Sequence, residues 1–288
     1  MATIGRPNCS VMATVLQLRR VVLVGSADDG PARFATMDLG ISGKKAAVAA
    51  SSAGLGLGAA KALAVDGVQV AISGRDPEKL AAAKAEIEAV SGRSDVIVIE
   101  ADVSSPAGGR GFVEAAIARL GQVDILVTNA GGPPPGSFAN TSLDNYQTAL
   151  DMNLLSMIEM CRVAIPAMQE RGWGRVCAIT SVGVKQPIGF LLASSVARAG
   201  LTSFLKITAR EIAASGVTVN SCQPGTHWTD RVKKIMDEDA ADKTNPANIT
   251  GDPDHFGQAV AFLCSEQARF ITGTGLLVDG GQATGLLD

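Results

Sequence analysis

From residue 45 onward the chain alternates between two patterns. Short apolar runs read as strands: Lys45 to Ala50, Val68 to Ser73, Asp95 to Glu100, Val123 to Thr128, Arg175 to Thr180, Val217 to Cys222 and Gly275 to Val278. Between them, segments 57–66, 77–90, 111–120, 143–171, 191–214 and 252–265 carry apolar positions at helical spacing. Pro77 suits the first turn of its helix, and Gly172 to Gly174 stop the longest one. The piece from Thr226 to Gly251 fits neither pattern. A loop of that length in a compact domain is expected to be a lid or a binding loop.

Strands separated by helices predict βαβ units, a mostly parallel sheet and right-handed crossovers with helices on both faces. The expected fold is therefore α/β, a Rossmann-type doubly wound parallel sheet of about seven strands in a single domain over residues 37–288. Only 4% of the chain is aromatic while 47% is hydrophobic, so the core must be built from Ala, Val, Ile and Leu. The segment before Met37 lies outside this pattern. Residues 1–36 read as a flexible extension or an upstream misassigned start, with a targeting segment as the lesser alternative.

Charge and composition remove several function classes. A net charge of −3 gives no electrostatic footprint for nucleic acid or for an anionic membrane surface. No apolar run approaches the roughly 20 residues of a membrane helix. The five cysteines are scattered and odd in number, which argues against a disulfide framework and for a reducing cytoplasm. With two histidines and no Cys or His cluster, no metal site is expected.

The segment Ala49-Ala50-Ser51-Ser52-Ala53-Gly54-Leu55-Gly56-Leu57-Gly58 sits between the first strand and the first helix. Small residues there let the backbone approach a pyrophosphate, and the helix start offers free N–H groups with a partial positive charge. Ser51, Ser52, Gly54, Leu55 and Gly56 are the candidate phosphate contacts. At the end of the second strand, where an NAD binder places an acid on the ribose hydroxyls, the chain reads Gly74-Arg75. A guanidinium suits a 2′-phosphate, so the expected cofactor is NADP(H).

These residues, with others in order, resemble the short-chain dehydrogenase/reductase family across 37–288. The other matching elements are Asp102-Val103 after the third strand, Asn129-Ala130-Gly131-Gly132 after the fourth, Asn153, Ser181, Pro224-Gly225 and Val278-Asp279-Gly280-Gly281. The resemblance implies that Asp102 and Val103 meet the adenine, and that Asn129, Ala130 and Gly131 shape the floor under the adenosine ribose. It implies that Pro224, Gly225 and Thr229 border the nicotinamide carboxamide, that Ser181 hydrogen-bonds a substrate carbonyl, and that Asn153 holds a relay water. Within the family the chain is similar to proteins labelled 3-oxoacyl-acyl carrier protein reductase. The implied partners are a small carbonyl or alcohol substrate and further copies of the chain, as a tetramer or dimer.

The chain departs from the family pattern twice. Ala49-Ala50 stands where Thr-Gly is usual. More consequentially, the window for Tyr-x-x-x-Lys reads Ser194-Ser195-Val196-Ala197-Arg198, and the sole tyrosine, Tyr146, is out of register. A tyrosine hydroxyl can protonate an alkoxide at neutral pH when a cation lowers its pKa; a serine hydroxyl is far less acidic. Arg198 stays charged and cannot usefully donate its proton. Lys185, in the loop after Ser181, is the candidate substitute acid or base. An oxidoreductase with this altered acid–base set is the leading expectation. A non-catalytic nucleotide-binding relative, a non-redox enzyme on the same fold, and a hydrolase built on Ser181 and Lys185 are the competing ones.

Overall fold

A computed structural model of the chain describes residues 38–286. The expectation for residues 1–36 lies outside the described residues.

Seven parallel strands form the centre: β1 (Lys45–Val48), β2 (Gln69–Gly74), β3 (Ile97–Glu100), β4 (Ile125–Thr128), β5 (Gly174–Ile179), β6 (Val217–Pro224) and β7 (Gly275–Val278). Their order across the sheet is β3-β2-β1-β4-β5-β6-β7. The connections reverse direction between β1 and β4, so a crevice opens at the carboxyl ends of those strands. Every residue of β4, β5 and β6 is buried, as in a sheet covered on both faces.

Alternation along β1 divides the core in two. Ala47 points into a cluster with Phe112, Met160 and Leu201, and Val48 into one with Leu63, Ile87 and Phe256. The second layer holds α1 (Gly54–Val65), α2 (Pro77–Ser91) and, near the end of the chain, a helix at Pro253–Leu263. That last helix and α1 touch backbone to backbone. A Cβ on Gly58 would overlap the Pro253 carbonyl, and one on Gly257 the Gly58 carbonyl.

The opposite layer holds α3 (Pro106–Leu120), α4 (Leu143–Leu150), α5 (Ser156–Glu170) and α6 (Leu192–Ile212). Helix α3 starts five residues earlier than the periodicity predicts. Ser105 caps it by accepting from Gly108 N at 3.1 Å, and Pro106 opens it, which outweighs three glycines in the first turns. The helix expected over 143–171 is interrupted by a π turn at Asp151–Leu155. Within 226–251 two short helices occur, α7 (Asp230–Lys233) and α8 (Glu238–Asp242), so the segment is less irregular than expected. The helix at Pro253–Leu263 is α9. Four cysteines, Cys161, Cys177, Cys222 and Cys264, are free and buried.

Candidate functional site

The expected site residues stand together on the carboxyl edge of the sheet. The turn after β1 is built by paired hydroxyls. Ser51 Oγ donates to Val48 O at 2.6 Å and accepts from Ser73 N at 3.1 Å, while Ser73 Oγ accepts from Ala50 N at 2.9 Å. Ser51 N is also spent, on Ser73 O at 2.8 Å. Ser51 is fully buried. Its expected role as a phosphate contact is therefore corrected: hydroxyl and amide are both used to brace the turn, and Ser51 is a positioning residue. Ala50 takes a left-handed φ of 45°, and its carbonyl accepts from Asn129 Nδ2 at 3.1 Å.

The N-cap of α1 is Ala53, whose side chain cannot cap the helix. Among the described residues its first N–H groups thus lack an intrahelical or side-chain acceptor. Ser52, Ala53, Gly54, Trp228 and Thr229 line an open groove of about 330 Å³ there. Thr229 precedes α7 and brings its Cγ2 within 3.4 Å of where a Gly54 Cβ would stand.

At the end of β2, a side chain on Gly74 would meet Ser52 Oγ at 2.8 Å, which closes the place an acid would occupy. Arg75 follows with its side chain 75% exposed. Its Nη1 lies 4.0 Å from Asp102 Oδ2, a loose exposed pair. Asp102 also accepts from Ser104 N, and the carbonyl of buried Val103 accepts from Ser156 Oγ at 2.7 Å. Ala130 is buried at the end of β4. Pro224 ends β6, and Gly225 N continues its pairing to Val278 O at 3.0 Å.

The second half of the site hangs on the π turn. The extra residue there turns Asn153 inward, fully buried, with Nδ2 donating to Gly131 O at 2.9 Å. Such single-turn bulges recur at functional sites. Ser194 Oγ donates to Asn153 Oδ1 at 3.4 Å and accepts from Arg198 Nε at 3.2 Å. Arg198 Nη1 donates to Ile179 O at 2.9 Å. Burial, and then the charge of Arg231, push the Arg198 pKa down to about 10, so it remains a cation at neutral pH. The residues at the Tyr and Lys places are thus joined in one chain: Arg198 to Ser194 to Asn153 to Gly131.

Ser181 caps a short 3₁₀ turn at Val182–Val184, its Oγ accepting from Gly183 N at 3.0 Å. Lys185 ends that turn and is half-buried. A Cβ on Gly183 would stand 3.2 Å from Ser181 Oγ and 3.3 Å from Ser195 Oγ. Ser195 is therefore a second hydroxyl beside Ser181 that the reading by register passes over. Arg231 is another such residue. It reaches from α7 to the loop after β4, with Nη2 donating to Pro133 O at 3.3 Å.

His227 is 4% exposed, edge-on to Phe256 and hydrogen-bonded through Nδ1 to Gly225 O at 3.1 Å. It pins the start of the 226–251 segment to the core. Among the described residues no cluster of His, Cys, Asp and Glu could hold a metal ion. None of their helices is long and apolar enough to cross a membrane.

A family model described as enoyl-(acyl carrier protein) reductase matches residues 49–283. The chain is 38% identical over 245 residues to nodulation protein G of Azospirillum brasilense, covering 84% of this chain and 98% of that protein. It is 33% identical over 241 residues to the 3-oxoacyl-[acyl-carrier-protein] reductase of Escherichia coli, covering 83% and 97%. The chain belongs to the short-chain dehydrogenase/reductase family. Its relatives mark it as a member of a family of nicotinamide-dependent oxidoreductases. The same fold is found in YwfH, an NADPH-dependent reductase of bacilysin biosynthesis, with a TM-score of 0.81, 25% identity and coverage of 85% of this chain and 100% of that one. L-sorbose reductase of Gluconobacter frateurii, solved with NADPH and L-sorbose, gives 0.80, 28%, 87% and 100%.

Proposed function

We propose that this protein is an NADP(H)-dependent oxidoreductase that interconverts a carbonyl and an alcohol with an altered acid–base set. The observation that carries the proposal is the Arg198–Ser194–Asn153 chain, anchored by Arg198 to Ile179 O at the end of β5, two residues before Ser181. The residues fit the cofactor. Ser52, Ala53 and Gly54 at the start of α1 line an open groove, Thr229 packs beside Gly54, and Lys61 lies among the carboxylates of the far wall. Asn129, Ala130 and Gly131 form the floor, and Asp102 with Val103 the adenine end. Pro224 and Gly225 border the nicotinamide end. Arg75 lies where it favours a 2′-phosphate, and Gly74 leaves no acid to compete for it.

A bound nicotinamide dinucleotide supplies a hydride donor or acceptor. The chain's own residues do the rest. Ser181 orients the substrate oxygen. In Ser194 the hydroxyl hydrogen points to Asn153 and a lone pair takes the Arg198 N–H, so this serine holds the network together and is not poised to donate outward. Arg198 stabilises negative charge on the substrate oxygen without giving up a proton. Lys185, on the turn after Ser181, delivers the proton. Acid–base groups contribute about 10²–10⁴-fold, so loss of the Lys185 amine should slow turnover by about that factor. The lid at 226–251, pinned by His227, covers the substrate. Buried free thiols fit a reducing cytoplasm, and the exposed Leu155 of the π turn with Val196 and Ile207 of α6 fit a homotetramer or dimer.

The test is a panel of ketones and alcohols with NADPH or NADP⁺. It is run on the wild type, on Lys185→Met and on the double variant Ser194→Tyr/Arg198→Lys. Turnover by the wild type that exceeds the double variant and collapses in Lys185→Met supports the proposal. Turnover in the double variant alone refutes it.

A further inference from the structure

Gly183, in the turn after β5, presents its bare Cα to the first turn of α6. A Cβ built there would have Ser181 Oγ at 3.2 Å, Ser195 Oγ at 3.3 Å and Ile188 Cδ1 at 3.9 Å. Two hydroxyls from different elements thus converge on the space that the glycine leaves, with a methyl group as the third side.

Both hydroxyls can donate into that space. Ser181 Oγ accepts from Gly183 N at 3.0 Å, which uses a lone pair and leaves its hydrogen unspent. Ser195 is half-buried, and among the described residues no hydrogen bond takes up its hydroxyl. Ser194, one position earlier, lies about 100° away around the helix, since a turn holds 3.6 residues. It faces Asn153 and Arg198, and its hydrogen is spent on Asn153. The two neighbouring serines therefore have different tasks: Ser194 closes a network, and Ser195 keeps an open donor beside Ser181. The N-cap of α6, Leu191, has no side-chain cap, so the field at this helix end favours negative charge on an oxygen held beside Ser195.

We propose that Ser195 is a catalytic residue that, together with Ser181, grips the reacting carbonyl oxygen of the substrate. The inference rests on the proposed redox reading and adds a residue to it. A carbonyl oxygen has two lone pairs and accepts from two hydroxyls at once. The grip strengthens as that oxygen gains negative charge, because hydrogen bonds to an ionised acceptor are the stronger ones. Neither serine gives up its proton; the pair supplies the hold on the oxygen and leaves proton delivery to another group. Gly183 is the position that keeps the space open, since any side chain there stands between the two hydroxyls.

The full chain is titrated with isotope-labelled cyclohexanone in the presence and absence of NADP⁺, which cannot reduce it. The carbonyl stretch of the bound ketone is read by infrared difference spectroscopy in wild type, Ser195→Ala, Ser195→Thr, Ser181→Ala and Gly183→Ala. The stretch should lie lower in the wild type than in either serine-to-alanine variant, because each donor weakens the C=O bond. Loss of one such hydrogen bond should weaken ketone affinity about 2- to 10-fold in Ser195→Ala and in Ser181→Ala alike. Ser195→Thr, which keeps the hydroxyl, should restore both readouts. Gly183→Ala should lose both with the two serines intact. The melting temperature of Ser195→Ala should stay within about two degrees of wild type, since its hydroxyl has no protein partner to lose. A Ser195→Ala protein whose bound ketone keeps the wild-type stretch and affinity overturns the proposal, and so does a wild type that binds no ketone. Either result beside ketone turnover with NADPH leaves the redox reading intact. A wild type that holds cyclohexanone through Ser195 but turns over no ketone with NADPH leaves the two-hydroxyl site standing and sinks the redox reading instead.

Discussion

Replacing Arg75 with alanine isolates the claim about the 2′-phosphate. The side chain is three-quarters exposed, and its nearest partner is Asp102 at 4.0 Å. An exposed pair of that kind contributes about 0–1 kcal/mol, so the variant should fold with unchanged stability. The backbone around it is held independently, because Asp76 caps α2 by accepting from Glu78 N and Lys79 N. A guanidinium fork on a phosphate makes hydrogen bonds of about 1.5–3 kcal/mol each when charged. Solvent exposure and the nearby Asp102 carboxylate reduce the sum, and about 1.5–2 kcal/mol remains, or roughly 10- to 30-fold in Kd. The expected result of fluorescence titrations is an NADPH affinity lower by that factor and an NADH affinity unchanged within about twofold. Raising ionic strength should erode the wild type's NADPH affinity more than the variant's, because the lost contact is screened by salt. An Arg75→Ala protein that binds NADPH as tightly as wild type, or loses NADH equally, would refute the reasoning.

Three further outcomes follow from the same contacts. Ala50 has φ 45°, a conformation that costs a non-glycine residue about 1–2 kcal/mol; after glycine's larger unfolded-state entropy, Ala50→Gly should stabilise by about 0.5–1 kcal/mol, read as a higher urea midpoint at constant m. Burial lowers the His227 pKa from 6.5, so the unfolded chain binds the extra proton first. Its contribution to stability is complete above pH 6.5 and is lost as pH falls from there through the lowered folded value; His227→Gln should flatten that acid limb of the Tm–pH curve, and an unaltered limb counts against the assignment. Gly58→Ala should destabilise by several kcal/mol, because the new methyl overlaps the Pro253 carbonyl and forces α1 and α9 apart. A melting temperature within about a degree of wild type would show that the two helices are not packed so closely.

The strands were legible because each combines β-branched and small apolar residues in a run too short for a helix, flanked by turn residues. The glycine turn was legible because it falls between β1 and α1. Individual side-chain directions were not. Ser51 and Ser52 are adjacent and chemically alike, yet one faces the core and the other the groove; that depends on the register of Ser73 on the neighbouring strand. The π turn at 151–155 was invisible because it repeats the helical periodicity with one extra residue, although it aims Asn153. The start of α3 carries a readable Ser105-Pro106 signal that its glycines obscure, and Gly109 is small because a Cβ would overlap Ser156. The contact of Arg231 could not be found from sequence: it depends on how the 226–251 segment returns over a loop about a hundred positions earlier.

Crystals of the full chain grown with NADPH give the most direct test of the account. The account predicts the dinucleotide across the carboxyl edge of the sheet, its phosphates at the start of α1, the 2′-phosphate within hydrogen-bonding reach of Arg75, and the nicotinamide ring beside Ser181 and Ser194. An empty crevice at saturating NADPH, or a dinucleotide whose 2′-phosphate lies away from Arg75, would contradict it.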